Sequence, residues 1–344
     1  MAGGTRRPTQ RDVAELAGVS MATVSHVVSG RRDRRNPTSP DVAERVRSAM
    51  AELGYRPHRA GRVLQSRRTR LIAVAAYTPL NPWALTAIAQ IEEVADRHGL
   101  GVVIVRYGSE AATTDRAEEL LNDGIADATA VLYGPAFGEE RARRLGASGL
   151  PTLVFGLPRP APGVDVLVQH EERAIGDAAR YLVETGSDRL AFISRSGPTL
   201  PDQRGDAFVT AARGAGLPTD RVTLVRSPQD QYATDVRVLQ RAVELLRLPR
   251  RTRPDAIMVP SDRGAINVMW AAIQEGLRVP DDVRIIGAGN IDQCLQVSPH
   301  LTTVGCVDVD YRPAIERLIQ RIGRPDRDNR AIEVPWELII RGTT

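Results

Sequence analysis

A chain of 344 residues is too long for one ordinary core, and 42% hydrophobic content without a membrane-length apolar run excludes a disordered chain and a membrane-spanning one. Two cysteines, Cys294 and Cys306, exclude a disulfide framework and read as core thiols, and a polar, basic N-terminus over residues 1–10 lacks the apolar stretch of an export signal, so the expected compartment is the cytoplasm. The net charge of +4 conceals a split, because residues 1–70 carry 15 Arg against 6 acidic residues, the remainder carries 31 Arg against 36, and there is no Lys.

A basic head on an acidic body is the electrostatic footprint of a nucleic-acid binder. A solvated basic tail would carry the same charge, so the pattern inside the head decides. Thr9-Gln10-Arg11-Asp12 has the form of a capping box, a hydroxyl at N-cap and an acid three residues on. Val13, Ala14, Leu16 and Ala17 supply an apolar face, and Gly18 ends this first helix. Val19 anchors the turn. Ser20 caps a second helix over 21–29, in which Val24, Val27 and Val28 form the buried stripe while Met21, Ala22, Ser25 and His26 take the opposite face. Two short helices joined by a three-to-four-residue turn containing Gly form a helix-turn-helix, whose second helix enters the major groove with its N-terminal residues at the base edges.

Ser39-Pro40 starts a third helix, packed through Val42, Val46, Met50 and Leu53. Before it lies a polar loop, 30–37, whose Arg31, Arg32, Arg34 and Arg35 suit phosphate oxygens. Met21, Ala22 and His26 are the candidate base readers; Ser20, Thr23 and Ser25 have short hydroxyls suited to phosphates. Thr9, Tyr55, His58 and Arg59, at the margins of the head, complete the candidate DNA contacts. A basic connector, 58–70, follows, with Leu64 as the large apolar residue near its middle.

These motifs resemble the head of the lactose and purine repressor family, the LacI-type regulators. The resemblance rests on Asp12-Val-Ala-Glu-Leu-Ala-Gly-Val-Ser20, Thr23-Val-Ser25, Val27-Val28 and Ala49-Met-Ala-Glu-Leu-Gly-Tyr-Arg-Pro57. It implies a homodimer on a pseudo-palindromic operator, and a hinge helix whose leucine, here Leu64, wedges between base pairs in the minor groove. A linker residue packed on the body is the other reading of Leu64. The loop before Ser39 departs from the family, being about four residues longer and richer in Arg.

From Leu71 onward the period changes. Strands are expected at 71–76, 101–106, 129–133, 152–155, 190–194, 222–225, 256–259 and 284–288. Helices are expected at 83–98, 113–122, 174–185, 203–215, 232–247, 263–275 and 311–322. Apolar strands alternating with helices make doubly wound parallel sheets, and two sheets of about six strands fit this length. The expected fold is therefore a three-helix head, residues 1–56, a hinge, 57–70, and an α/β body, 71–344. The body divides into subdomain one (about 71–170 and 302–327) and subdomain two (about 171–301 and 328–344).

The body extends the resemblance over nearly the whole chain through Asn81-Pro82-Trp83, Arg204 to Phe208, Gly276 to Val283, Leu301-Thr-Thr-Val304 and Pro335 to Gly342. It implies a periplasmic-binding-protein-like body in which two subdomains, crossed three times by the chain, enclose a small effector. Trp83, His170, Arg204, Asp262 and Asn290 are the candidate effector contacts. An aromatic face suits a sugar or base ring, an Arg fork grips a carboxylate, phosphate or vicinal hydroxyls, and Asp and Asn pair with hydroxyls.

Three departures bear on the ligand. Gly287-Ala288-Gly289-Asn290 replaces the family's Gly-Tyr-Asp-Asp, Ser261-Asp262 its Asn-Asp, and His170-Glu171 its Asp-Asn. The expected effector is a small molecule, sugar-like or anionic; fewer carboxylates to clamp hydroxyls, with Arg204 retained, turn the reading from a simple sugar toward an anionic or amide-bearing ligand, and a chain that no longer binds an effector is the alternative left open. No metal-ligand spacing, G-x-S-x-G or G-x-x-x-x-G-K occurs, so no cofactor, metal or enzymatic activity is expected. A solute receptor would share the body but not the head.

Overall fold

The computed structural model describes residues 8–29, 39–55, 68–78, 80, 82–108, 110–132, 137–157, 159–197, 202–226, 235–324 and 328–344. The chain divides into two compact units, Met1–Arg70 and Leu71–Thr344. In the first, α1 (Gln10–Ala17), α2 (Met21–Ser29) and α3 (Pro40–Glu52) share one small core of Val13, Ala14, Ala17, Val24, Val46 and Ala49. Leu16, expected on the apolar face of α1, is 45% exposed instead. It lies about 100° around the helix from the buried stripe of Val13, Ala14 and Ala17, beyond the reach of so small a core.

The second unit is built on two six-stranded sheets. The first has the order β11-β5-β4-β3-β1-β2, with every pairing parallel. Its strands are β1 (Leu71–Tyr77), β2 (Gly101–Tyr107), β3 (Ala128–Leu132), β4 (Thr152–Phe155), β5 (Val164–Val168) and β11 (Ala331–Glu333). Because side chains alternate across a strand, β1 sends Ile72, Val74 and Ala76 to one face and Ala73 and Ala75 to the other. The first face is covered by α4 (Pro82–Arg97) and α11 (Arg312–Gln320), the second by α5 (Ala111–Asn122) and α6 (Glu139–Ala147).

The second sheet has the order β12-β10-β9-β8-β6-β7. Its strands are β6 (Leu190–Ile193), β7 (Val222–Val225), β8 (Ala256–Met258), β9 (Arg284–Ala288), β10 (Thr302–Gly305) and β12 (Glu337–Ile339), the last antiparallel to β10. Helices α7 (Glu171–Glu184) and α8 (Gln203–Gly214) cover one face, and α9 (Asp235–Leu246) and α10 (Asp262–Gln274) the other.

Two boundaries move from the sequence expectation. Residues 302–305 belong to the second sheet, because β10 pairs with β9, and residues 331–333 belong to the first, because β11 pairs with β5. The chain therefore crosses between sheets at 169–170, 306–311 and 334–336. Each crossing leaves the C-terminal end of a strand, β5, β10 or β11, so the strand C-termini of both sheets face the crossings, where ligands of open α/β sheets bind.

Candidate DNA-reading head and ligand cleft

The head is built by local rules. Thr9 donates through its backbone N–H and its hydroxyl to Asp12 Oδ2 (2.6 and 2.7 Å), which closes the capping box of α1. Gly18 sits in the left-handed region (φ 62°) and its N–H returns to the carbonyls of Ala14 and Glu15, so the helix stops there and the chain turns sharply into α2. Ser20 Oγ accepts from the Thr23 N–H (3.1 Å) and pairs with the Thr23 hydroxyl (2.9 Å), capping α2. Ser39 accepts from Val42 N (3.4 Å) ahead of Pro40 and caps α3. Tyr55 packs against the head core, its N–H donating to Met50 O (2.8 Å).

The consequence is a short helix presented N-terminus first. Met21 is 56% exposed and Ala22 is exposed, while Thr23, Ser25 and His26 are half-buried and Val24 is fully buried beneath them. Burial of Val24 fixes the rotation of α2, and that rotation decides which side chains face outward. Arg31, Arg32, Arg34, Arg35, His58, Arg59 and Leu64 lie outside the described residues.

At the strand C-termini of the body, the five sequence candidates separate into two groups. Trp83, in the first turn of α4, is half-buried with its ring 6.3 Å from that of Phe155. His170 adopts a left-handed conformation (φ 50°) at the start of α7, and its Nε2 lies 3.7 Å from Oε1 of Glu333, the last residue of β11. Arg204, in the first turn of α8, donates Nε–H to Glu171 Oε2 (2.6 Å) and Nη1–H to Pro260 O (3.2 Å). Its guanidinium carbon also lies 5.7 Å from the centre of the Trp336 ring, a cation–π arrangement. Glu171 and Trp336 complete this group; neither was among the candidate effector contacts, although Glu171 stands in the His170-Glu171 departure. Their signals were slight: an acid beside His170, and a lone aromatic in a short connector.

Asp262 and Asn290 are turned inward, a correction to their expected role as hydroxyl partners of a ligand. Asp262 is 1% exposed; its Oδ1 accepts from the Thr303 hydroxyl and its Oδ2 from the Ile291 N–H (3.0 Å). Burial pushes its carboxyl pKa up, opposed by these hydrogen bonds. A Cβ at position 287 would collide with Asp262 Oδ1 and one at 289 would lie 3.1 Å from Oδ2, so the two glycines make room for that carboxylate. Asn290 (φ 52°) donates Nδ2–H to Cys306 O (2.7 Å) and accepts from Arg341 Nη2 (2.6 Å). Both side chains spend their polar atoms on the protein. Cys306 and Cys294 are buried, and burial pushes the Cys306 thiol up to about 12, so neither reads as a reactive thiolate.

Residues 9–58 match the bacterial regulatory proteins, lacI family, and residues 179–344 match the periplasmic binding protein-like domain. The repressor PurR of Vibrio parahaemolyticus is 28% identical over 343 residues, covering 97% of this chain and 98% of its own. Catabolite control protein A of Priestia megaterium is 28% identical over 340 residues (97% and 98% covered), and the ribose operon repressor of Haemophilus influenzae 26% over 337 (97% and 97%). Among solved structures, the lac repressor dimer bound to operator and the anti-inducer ONPF superposes with a TM-score of 0.78 at 22% identity, over 98% of this chain and 99% of that one, a likeness of fold.

Proposed function

The chain belongs to the lacI family of bacterial regulatory proteins, and on that premise we propose that it is a repressor that binds a pseudo-palindromic operator as a homodimer and answers to a small ligand. The observation that carries the DNA reading is the head: a left-handed Gly18 turn, a capped α2, and Met21 and Ala22 exposed at its start on a three-helix core. That is the geometry by which a recognition helix reaches base edges. Residues 1–56 read the DNA, 57–70 form the hinge and 71–344 hold the effector and the dimer contact. Met21, Ala22 and His26 read bases. Thr9, Ser20, Thr23, Ser25, Tyr55, His58, Arg59 and the four loop arginines contact the backbone, and Leu64 wedges the central step.

The dimer face is on α10. That helix carries two apolar faces: Ala265, Val268, Met269 and Ala272 face the core with Ile266 half-buried at its edge, while Trp270 and Ile273 lie at i, i+3 on its outer side. Trp270 is 52% exposed and Ile273 43%, and Leu295, in the neighbouring turn Asp292–Leu295, is 56% exposed. A groove of about 510 Å³ between helix and turn is lined by Arg263, Ile266, Asn267, Gln293, Gln296 and Val297. An exposed apolar stripe rimmed by polar groups suits a second copy of the chain, and a dimer supplies two heads for two half-sites. A dimer bound to operator is also what the superposed lac repressor structure contains.

The effector sits against Trp83, His170 and Arg204, with Glu171 and Trp336 beside them. Asp262 and Asn290 hold the cleft walls. An anionic or amide-bearing ligand suits an Arg fork backed by an indole face. No described helix is long and apolar enough to cross a membrane, and the cytoplasm is the compartment where operator DNA is met. The relatives are transcriptional regulators, and this chain is a regulator, not an enzyme. The test is capture of genomic fragments by the full-length protein and sequencing of what binds. Enrichment of two-fold-related half-sites is expected, and retention of fragments without a shared symmetric sequence would overturn the reading.

A further inference from the structure

The second crossing, 306–311, is held at its two ends by two side-chain amides, one following a strand of the second sheet and one on a helix that covers the first. On the side of the second sheet, Asn290 Nδ2 donates to Cys306 O (2.7 Å), and Arg341 Nη2 donates to Asn290 Oδ1 (2.6 Å). Arg has only donors, so this contact fixes the orientation of the Asn290 amide. The approach is close: a Cβ at position 305 would lie 2.7 Å from Asn290 Cβ, so glycine is required there. On the side of the first sheet, Gln90 from α4 takes both polar groups of its amide to the crossing. Its Nε2 donates to Val309 O (2.9 Å) and its Oε1 accepts from Tyr311 N (2.7 Å). The Tyr311 N–H is a donor, so this amide orientation is fixed as well. Tyr311 is 2% exposed and its ring stands edge-on to Phe155 at 5.1 Å, which anchors that end in the first sheet's core.

Between the clamps lie Val307 and Asp308, both exposed. The first and third crossings are tied to each other, Val334 N to Val168 O (2.8 Å) and Trp336 N to Gln169 O (3.1 Å). They form a paired ribbon, while the second crossing is restrained chiefly by side chains. Two rigid sheets joined by a ribbon and by a strand pinned at both ends rotate about the residues left between the pins.

We propose that Gln90 is a positioning residue for the opening and closing of the cleft: with Asn290 it confines bending of the second crossing to Val307–Asp308 and so sets the balance between open and closed forms. The inference rests on the reading that a ligand in the cleft controls DNA binding, because only a change in that balance lets one site bias the other.

The experiment uses the full-length chain carrying spin labels at Glu119→Cys on α5 and Gln240→Cys on α9, both exposed sites. Cys294 and Cys306 are buried and escape labelling. Double electron–electron resonance gives the distribution of distances between the sheets, and hydrogen exchange reads the Tyr311 amide. In Gln90→Ala, exchange at Tyr311 should quicken about tenfold as its acceptor is lost, and the distance distribution should shift or broaden. Gln90→Glu keeps an acceptor for Tyr311 and loses the donor to Val309, so it should fall between parent and Gln90→Ala. It also provides the readout if the alanine variant does not fold. A lowered melting temperature with an unchanged distance distribution in both variants would reduce Gln90 to a local staple and overturn the proposal. A shifted distribution with unaltered affinity for the captured DNA fragments would keep the clamp and remove the regulatory reading beneath it.

Discussion

The Nε–H of Arg204 is donated to Glu171 Oε2 at 2.6 Å, so the cation best placed to grip a ligand is already paired with an acid of its own chain. The pair is partly buried, with side-chain exposures of 33% and 22%, and loss of one partner leaves the other poorly solvated. An anionic effector would compete with Glu171 for the guanidinium. Arg204→Ala should leave operator binding intact and weaken an anionic effector by about 1.5–3 kcal/mol, the value of one charge-assisted hydrogen bond. Glu171→Gln should tighten the same effector. A panel of carboxylates, phosphates and purines scored by release of bound operator measures both. Failure of folded Arg204→Ala to bind DNA would move the ligand site elsewhere.

The outer stripe of α10 gives a prediction about assembly. Trp270→Asp should convert dimer to monomer in sedimentation and weaken operator binding, because each head then binds alone. Ile273→Ala, a smaller loss, should shift the dimer equilibrium by about 1–2 kcal/mol. A Trp270→Asp protein that sediments as the parent does would place the dimer face on another surface.

A pH-dependent staple joins α5 to α6. Glu118 is 8% exposed and accepts from Arg144 Nε (2.6 Å) and Nη2 (2.8 Å) and from Arg141 Nη1 (2.6 Å). The Arg144 hydrogen bond, more than compensating for burial, holds the carboxyl below its usual 4.5. A depressed carboxylate stabilises the fold above its unfolded pKa, and that contribution is lost as pH falls through the lowered folded value. Glu118→Gln should therefore cost about 1 kcal/mol near neutrality, a discounted figure because Arg144 is half exposed, and progressively less in acid. Urea midpoints of parent and variant should converge as pH drops through and below 4.5; a constant gap would show that packing of Glu118, not its charge, is what α5 and α6 share.

The Arg-rich loop before α3 makes a prediction from sequence alone. Arg31, Arg32, Arg34 and Arg35 should neutralise phosphates and release counterions. Replacing all four by Gln should weaken specific and non-specific DNA alike and flatten the slope of log affinity against log salt by up to about 4 × 0.9. A salt slope equal to the parent's would leave the loop a solvated insert.

Much of the body was legible because its strands are short apolar runs between helices of period 3.6. Helix α6 was not, since Glu139–Ala147 is mostly Glu and Arg and buries only Ala142, Leu145 and Gly146. Strand β5 was missed because Asp165 interrupts its apolar run. That acid is 1% exposed and met by Arg317 (3.0 Å) and Arg321 (3.2 Å) from the region of α11, more than 150 residues away. Strands β11 and β12 are three residues each, and their assignment to opposite sheets depends on partners no local pattern names. The cleft followed the same rule. The sequence placed Asp262 and Asn290 correctly after strands, but Thr303 and Arg341 decide that their polar atoms are used inside the protein. Glu171 joins the Arg204 group only because Arg204, on another helix, reaches it.

The recognition helix carries the sharpest test. Burial of Val24 turns Met21 and Ala22 outward, with His26 on the flank of the same face. Met21 and Ala22 have no strong donors, so they favour apolar contact with a thymine methyl. His26 can give one hydrogen bond to guanine N7 or O6. A single donor discriminates less than a bidentate fork, so the helix of the parent protein should read its half-site loosely, and more of the specificity should rest on the central step that Leu64 is proposed to wedge. His26→Arg supplies the fork at the same place and should sharpen preference for guanine at one position per half-site by about 1–3 kcal/mol. Met21→Ala should relax a thymine preference, and Ala22→Gln should introduce one for adenine through its amide. Selection from randomised operators reads all three at once. If every variant selects the parent's sequence, these side chains do not face the bases and α2 is not the reading helix.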